Sequence, residues 1–224
     1  DSICELTMLE NLMLDTNQLN ELPKTIGQLT TLDFITLKQN QLTKIPDSIG
    51  KLANATILYL SENQLTELPK SINGMKKLKK LGLEENKLTT LPDSIGELTE
   101  LIYLDLYKNQ LKKIPDSIGK LTKLMKLNLG NNQLTKIPDS IGKLKELEKL
   151  SFKENQLTAI PKTIGELKKL EVLLLDNNKL TSLPDSIGQL KKLQHLDLFD
   201  NQLTKLPNTI GNLAKLKKLE LDEN

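Results

Sequence analysis

Leucine recurs along this chain in one fixed figure, written at its clearest as Leu101-x-x-Leu104-x-Leu106-x-x-Asn109-x-Leu111. In the block Leu124-Met125-Lys126-Leu127-Asn128-Leu129 the second half alternates apolar and polar side chains. That period of two predicts a short strand buried on one face. The stretch Pro138-Asp139-Ser140-Ile141-Gly142-Lys143-Leu144 follows a different rule. Proline fixes a backbone angle suited to a first helical turn, and Asp139 and Ser140 stand where side chains bond free amides. The stretch has room for only a turn or two, of 3₁₀ type. Each unit therefore reads as strand, tight turn and short helical return.

The units keep a step of 23 residues. Asparagine falls at Asn17, Asn40, Asn63, Asn86, Asn109, Asn132, Asn155, Asn178, Asn201 and Asn224, and all nine prolines, from Pro23 to Pro207, hold the same step. No linker or change of composition interrupts them, so residues 1–224 form one domain of nine periods behind a partial first unit. The leucines of one unit cannot bury themselves, whereas stacked units share a continuous core. An asparagine amide offers two donors and an acceptor to backbone groups left open where a strand turns, so these residues are expected to stack as a buried structural ladder.

Ten motifs in register resemble the leucine-rich repeat family over the whole chain, and the L-P-x-x-I-G-x-L return is similar to repeats of bacterial proteins and of intracellular scaffolds that bind small GTPases. The resemblance implies an α/β repeat fold. It would be a right-handed solenoid bent into a horseshoe, with a parallel sheet on the concave side and short 3₁₀ turns on the convex side. It also implies protein recognition rather than catalysis.

Departures from the pattern are few. Ala55 replaces the first leucine of its motif, Phe152 the third, and Asn73-Gly74-Met75 the usual Gly-x-Leu. Asparagine tolerates left-handed angles nearly as glycine does, so that turn is expected to survive. Cys4 reads as a buried edge residue. Neither end carries a capping unit, so Ile3, Leu6, Leu9 and Leu12 at one end, and Leu213, Leu216, Leu219 and Leu221 at the other, are expected to lack cover. Fraying or end-to-end self-association would follow, in a native chain longer than this one.

Function is sought at the five variable positions between the first leucine and the asparagine, which face the concave side. Five of the six aromatic residues fall there (Phe34, Tyr59, Tyr103, Tyr107 and Phe199), and only Phe152 belongs to the core. Phe34, Ile57 and Tyr59 gather near the amino end, with Met13, and Val172, Leu174, His195 and Phe199 near the carboxyl end. Aromatics exposed on a rigid sheet are typical protein-binding anchors, although strands favour such side chains in any case. The concave positions carry nine lysines against sixteen acids, whereas the remainder carries 22 lysines against 13 acids. Glu84, Glu85, Asp176 and Asp197 belong to this acidic set, which favours a protein or peptide with basic patches and disfavours nucleic acid.

Other chemistry finds little support. His195 and Asp197 point to one side of a strand, but the nearest concave serine, Ser151, lies about 9–10 Å away, beyond a hydrogen bond of about 3 Å. Asp176, Asp200 and Asp222 lack the loop spacing of a calcium site. No catalytic, cofactor or metal residue is assigned, and no stretch approaches a membrane span. A net charge of +2 argues against general nucleic-acid binding. All 31 cations are lysine, which fits an A/T-rich, bacterial gene. The leading expectation is a protein-interaction module that is not itself an enzyme. The alternatives are the recognition domain of a larger multidomain enzyme of GTPase or kinase type, and a surface or adhesive array. The compartment stays open between the cytoplasm and a bacterial secreted or surface location.

Overall fold

The computed structural model describes residues 2–224. Ten three-residue strands appear where the alternation places them: β1 (Asn11–Met13), β2 (Phe34–Thr36), β3 (Ile57–Tyr59), β4 (Lys80–Gly82), β5 (Tyr103–Asp105), β6 (Lys126–Asn128), β7 (Lys149–Ser151), β8 (Val172–Leu174), β9 (His195–Asp197) and β10 (Lys218–Glu220). They pair in chain order as one open parallel sheet, with every partner 23 residues away, as in Tyr103 beside Lys126. A 3₁₀ turn such as Asp116–Lys120 carries the chain back between strands. The result is an open solenoid, and among the described residues no helix is long and apolar enough to cross a membrane.

Each repeat adds one layer of core. Leu101, Leu104, Leu106, Leu111, Ile114, Ile118 and Leu121 are all buried, and Phe152 and Ala55 are fully buried in their leucine places. At the edges Leu6 and Leu219 are 55% and 38% exposed. Leu12 and Leu213, expected to lack cover, are buried, because one adjacent repeat is enough to shield them. Cys4 is buried at the amino edge.

Asparagine side chains tie the repeats together. Asn109 Nδ2 donates to Leu83 O of the preceding repeat at 2.9 Å and to Leu106 O and Tyr107 O of its own, while its Oδ1 accepts from Leu88 N at 2.9 Å. The pattern repeats from Asn40 to Asn201, all buried, and again at the exposed Asn224. Asn17 is exposed and, among the described residues, bonds Leu14 O and Asp15 O, both of its own turn.

Three local expectations need correction. Pro138 precedes its turn with φ −69° and ψ 147°, so the ring holds the chain extended on entry instead of opening the helix. Asp139 and Ser140 provide no side-chain cap; the turn closes through backbone bonds, Ile141 N to Pro138 O and Leu144 N to Ile141 O. Ser140 Oγ is buried without a partner, as are Oγ atoms of Ser48, Ser94, Ser117 and Ser186. Small residues stand here because successive turns touch. A Cβ on Gly50 would lie 2.1 Å from Ser71 O, and no glycine has a positive φ. Asn73 accordingly does not adopt a left-handed angle; its side chain donates to Glu97 Oε2, and Gly74 makes the close approach, with any Cβ 2.1 Å from Gly50 O.

Left-handed backbone occurs elsewhere. The residue before each ladder asparagine, from Thr16 to Glu223, has φ between 49° and 59°. There the chain leaves the strand and aims the amide inward.

Candidate functional site

Side chains two apart on these strands share a face, so the variable positions form rows across the concave sheet. In the amino-terminal third, the Phe34 and Tyr59 rings meet edge to face, with centroids 6.2 Å apart at 80°. Lys38 Nζ lies 4.3 Å from the Tyr59 ring centre, a cation–π contact. Gly82, one of the three glycines off the 23-residue step, makes room for that ring: a Cβ there would lie 2.8 Å from Tyr59 Cδ1. Ile57 is half-buried in the same strand as Tyr59, and Met13, on the neighbouring strand to Phe34, is 68% exposed.

Tyr103, Asp105 and Tyr107 form one bonded unit. Tyr103 OH donates to Asp105 Oδ2 at 2.8 Å, and Asp105 Oδ1 accepts from Tyr107 N at 2.9 Å. Lys153 Nζ sits 5.0 Å over the Tyr107 ring, and Gly130 leaves both of them space. Tyr59, Tyr103, Ile102, Met125 and Glu84, with Lys38, Lys80 and Lys126, line a recess of about 430 Å³. Glu84 Oε2 is buried and without a partner. Burial first, then the Glu84 carboxylate, pushes the Tyr59 phenol above its ordinary range. Burial and the bond to Asp105 push Tyr103 further up.

The sign of that shift gives a test. A tyrosine held neutral in the fold contributes stability below about pH 10, the unfolded value, and that contribution is lost as pH rises toward the folded one. Tyr103→Phe should therefore be more resistant to alkaline unfolding than the parent. Denaturant melts at pH 7 and above pH 10 will show it; a parallel loss of stability in both proteins would rule it out.

At the carboxyl end Val172, Leu174 and His195 are half-buried and Phe199 is 38% exposed. Asp197 Oδ1 accepts from Phe199 N at 3.0 Å, and the Asp197 carboxylate lies beside that of Glu220. His195 Nε2 lies 2.9 Å from Glu220 Oε1, which Lys218 Nζ also meets at 2.8 Å. Hydrogen bonds from Lys218 and His195 bring Glu220 down to about 2. Burial, with the charges of Asp176 and Glu220, raises Asp197. Glu220 was absent from the candidates read in the sequence. It lies one repeat and two residues beyond His195, a diagonal that the 23-residue step makes countable.

The acidic flank is partly answered from within. Glu85 pairs with Lys108 at 2.7 Å, Glu154 accepts from Asn131 and lies near Lys153, and Asp176 accepts from Asn177. Glu84 has no such partner. Of the three aspartates weighed for calcium, none joins a metal-like group; among the described residues that arrangement occurs at His195, Asp197 and Glu220.

This geometry has relatives. A family profile described as a leucine-rich repeat region matches residues 75–156 and 150–224, and one described as leucine rich repeat matches residues 7–65. The Leptospira interrogans LRR protein LIC12759 is 40% identical with a TM-score of 0.90, over 97% of this chain and 56% of that one. The plant peptide hormone receptor RGFR1, solved in complex with RGF2, is 32% identical with a TM-score of 0.79, over 98% of this chain and 41% of that one. The Arabidopsis receptor kinase HAESA, in complex with the peptide hormone IDA and the co-receptor SERK1, is 31% identical with a TM-score of 0.79, over 98% and 43%. The chain thus spans about half the length of the solved structures it matches. A search of curated proteins finds no match. Motif, fold and profiles agree over nearly every repeat, and the chain belongs to the leucine-rich repeat family.

Proposed function

We propose that this chain is a recognition module that grips a protein or peptide along its concave face. The observation that carries the reading is the sorting of aromatics. Five of six lie on that face, and Gly82 and Gly130 make space for two of the rings. Aromatic rings fixed by neighbours bind at little entropic cost, which is what an anchor requires. Tyr59, Tyr103 and Tyr107 form the first anchor group with Phe34 and Ile57. Val172, Leu174, His195 and Phe199 form the second, and Glu84, Glu85, Asp176 and Asp197 favour a partner with basic side chains. RGFR1 and HAESA, both solved with peptide hormones, support the peptide form of the reading. HAESA is a receptor kinase, and that relative favours a second reading in which these repeats are the recognition part of a larger enzyme. The exposed Leu6, Met8 and Leu219 support end-to-end self-association of this polypeptide, away from the concave face.

The test uses peptides selected on the whole chain from a displayed random library. Tyr103→Ala with Tyr107→Ala should weaken their binding about 30-fold, the effect of losing about 2 kcal/mol at an anchor. The melting temperature should change little. Glu84→Lys with Asp176→Lys should slow association, most at low salt. Lys112→Glu with Lys113→Glu, both exposed beyond the ladder, should leave binding intact. Peptides that ignore the tyrosine pair and respond to the lysine pair would move the site off this face.

A further inference from the structure

His195 is the one histidine of the chain, and its surroundings are unlike those of any other concave residue. It shares a face of β9 with Asp197, two residues on, while β10 sets Lys218 beside His195 and Glu220 beside Asp197. One imidazole nitrogen and one oxygen from each carboxylate consequently lie within 4.8 Å of one another. Ligand atoms around a tetrahedral zinc ion sit roughly 3.3–3.6 Å apart, given metal–ligand bonds of about 2.0–2.2 Å. The ligand atoms therefore have to draw closer by up to about 1.5 Å as an ion enters.

Two further features fit a metal. Asp197 Oδ1 is held by Phe199 N, which orients the carboxylate and leaves Oδ2 to act as ligand, as supporting hydrogen bonds do in metal sites. The group is also reachable, since the His195 and Glu220 side chains are 26% and 31% exposed. Lys218 now occupies Glu220, but its side chain is 59% exposed and can return to water as an ion enters.

We propose that His195, Asp197 and Glu220 form a binding site for a divalent transition-metal ion of the Zn²⁺ class, with its remaining coordination positions open on the concave face. An imidazole with two carboxylates suits zinc and its neighbours, whereas calcium and magnesium take oxygen ligands. The site is independent of the peptide-binding proposal: it needs no partner, and its ligands can be tested in the free protein.

The experiment is calorimetric titration of ZnCl₂ into the full chain after chelator treatment, at pH 7. One equivalent should bind. His195→Ala and Glu220→Gln should each weaken the affinity tenfold or more, and Asp200→Asn, an exposed acid of the next turn, should not. Calcium at the same concentrations should give no comparable heat. Because the histidine is unique, its ring-proton resonances in the unmutated protein provide a second reading, and they should shift in proportion to added zinc. Absence of binding, or zinc affinity unchanged in His195→Ala with an unmoved ring signal, would overturn the site; the latter would point to Cys4 or to scattered surface acids.

Discussion

Asn109→Ala will lower the unfolding free energy by about 1–3 kcal/mol, while Asn17→Ala will lower it by less than about 1 kcal/mol. The two residues hold the same place in the repeat, so helix or strand preference cannot separate them. Their surroundings can. Removing the Asn109 amide strands Leu88 N, a backbone donor in a region closed to water, while Leu83 O keeps its bond from Asn86 Nδ2 at 3.1 Å. Each buried group left without a partner costs about 1–3 kcal/mol. Asn17 is exposed and bonds two carbonyls of its own turn at 3.0 Å, which water can take over. Urea denaturation of both variants measures the difference. Coincident midpoints would mean that the ladder contributes packing alone.

Gly50→Ala should be as damaging, for a steric reason. The added Cβ falls 2.1 Å from Ser71 O, and that atom is backbone of the next turn, so no side chain can swing aside. The two repeats must part, at about 3 kcal/mol on the scale of overpacked cores. That corresponds to a fall in melting temperature of roughly 6–12 °C for a domain of this size. Gly211→Ala is the control, because a Cβ there meets nothing within 4 Å and the glycine has no positive φ. It should be neutral or slightly stabilising, by up to about 1 kcal/mol through the unfolded chain. If Gly50→Ala melts with the parent, contact between turns does not explain the glycine step.

The fold was legible in the sequence wherever a single residue type reports a single demand. Leucine spacing reported the core, the asparagine step reported the ladder, and the period of two placed Tyr103 and Phe199 on the concave face. The left-handed residues left no such trace. Thr16, Gln39, Glu62 and Lys108 all adopt φ near 55°, although the conformation disfavours each by about 1–2 kcal/mol and asparagine occupies it only at Asn131 and Asn177. Tertiary bonding by the following asparagine overrides local preference there. The glycine, serine and proline positions were read by their commonest local uses, a permissive angle, a cap and a first helical turn. Glycine and serine instead serve contact between neighbouring repeats, which one repeat viewed alone cannot display, and proline holds the chain extended on entry to the turn. At the candidate site the rows were readable but the pairings were not. Glu220 reaches His195 diagonally, and Glu85 spends its charge on Lys108.

The ladder also has a direction. Beyond its own turn, Asn109 reaches Leu83 and Leu88, which lie 26 and 21 residues earlier, and its counterparts from Asn40 to Asn224 reach back in the same way. A ribosome releases the chain amino end first. Every newly exposed repeat thus carries its own latch for a segment already made, and this bond never has to wait for residues still in the tunnel. The solenoid can be laid down like courses of brick, each one fastened to the course below as it arrives.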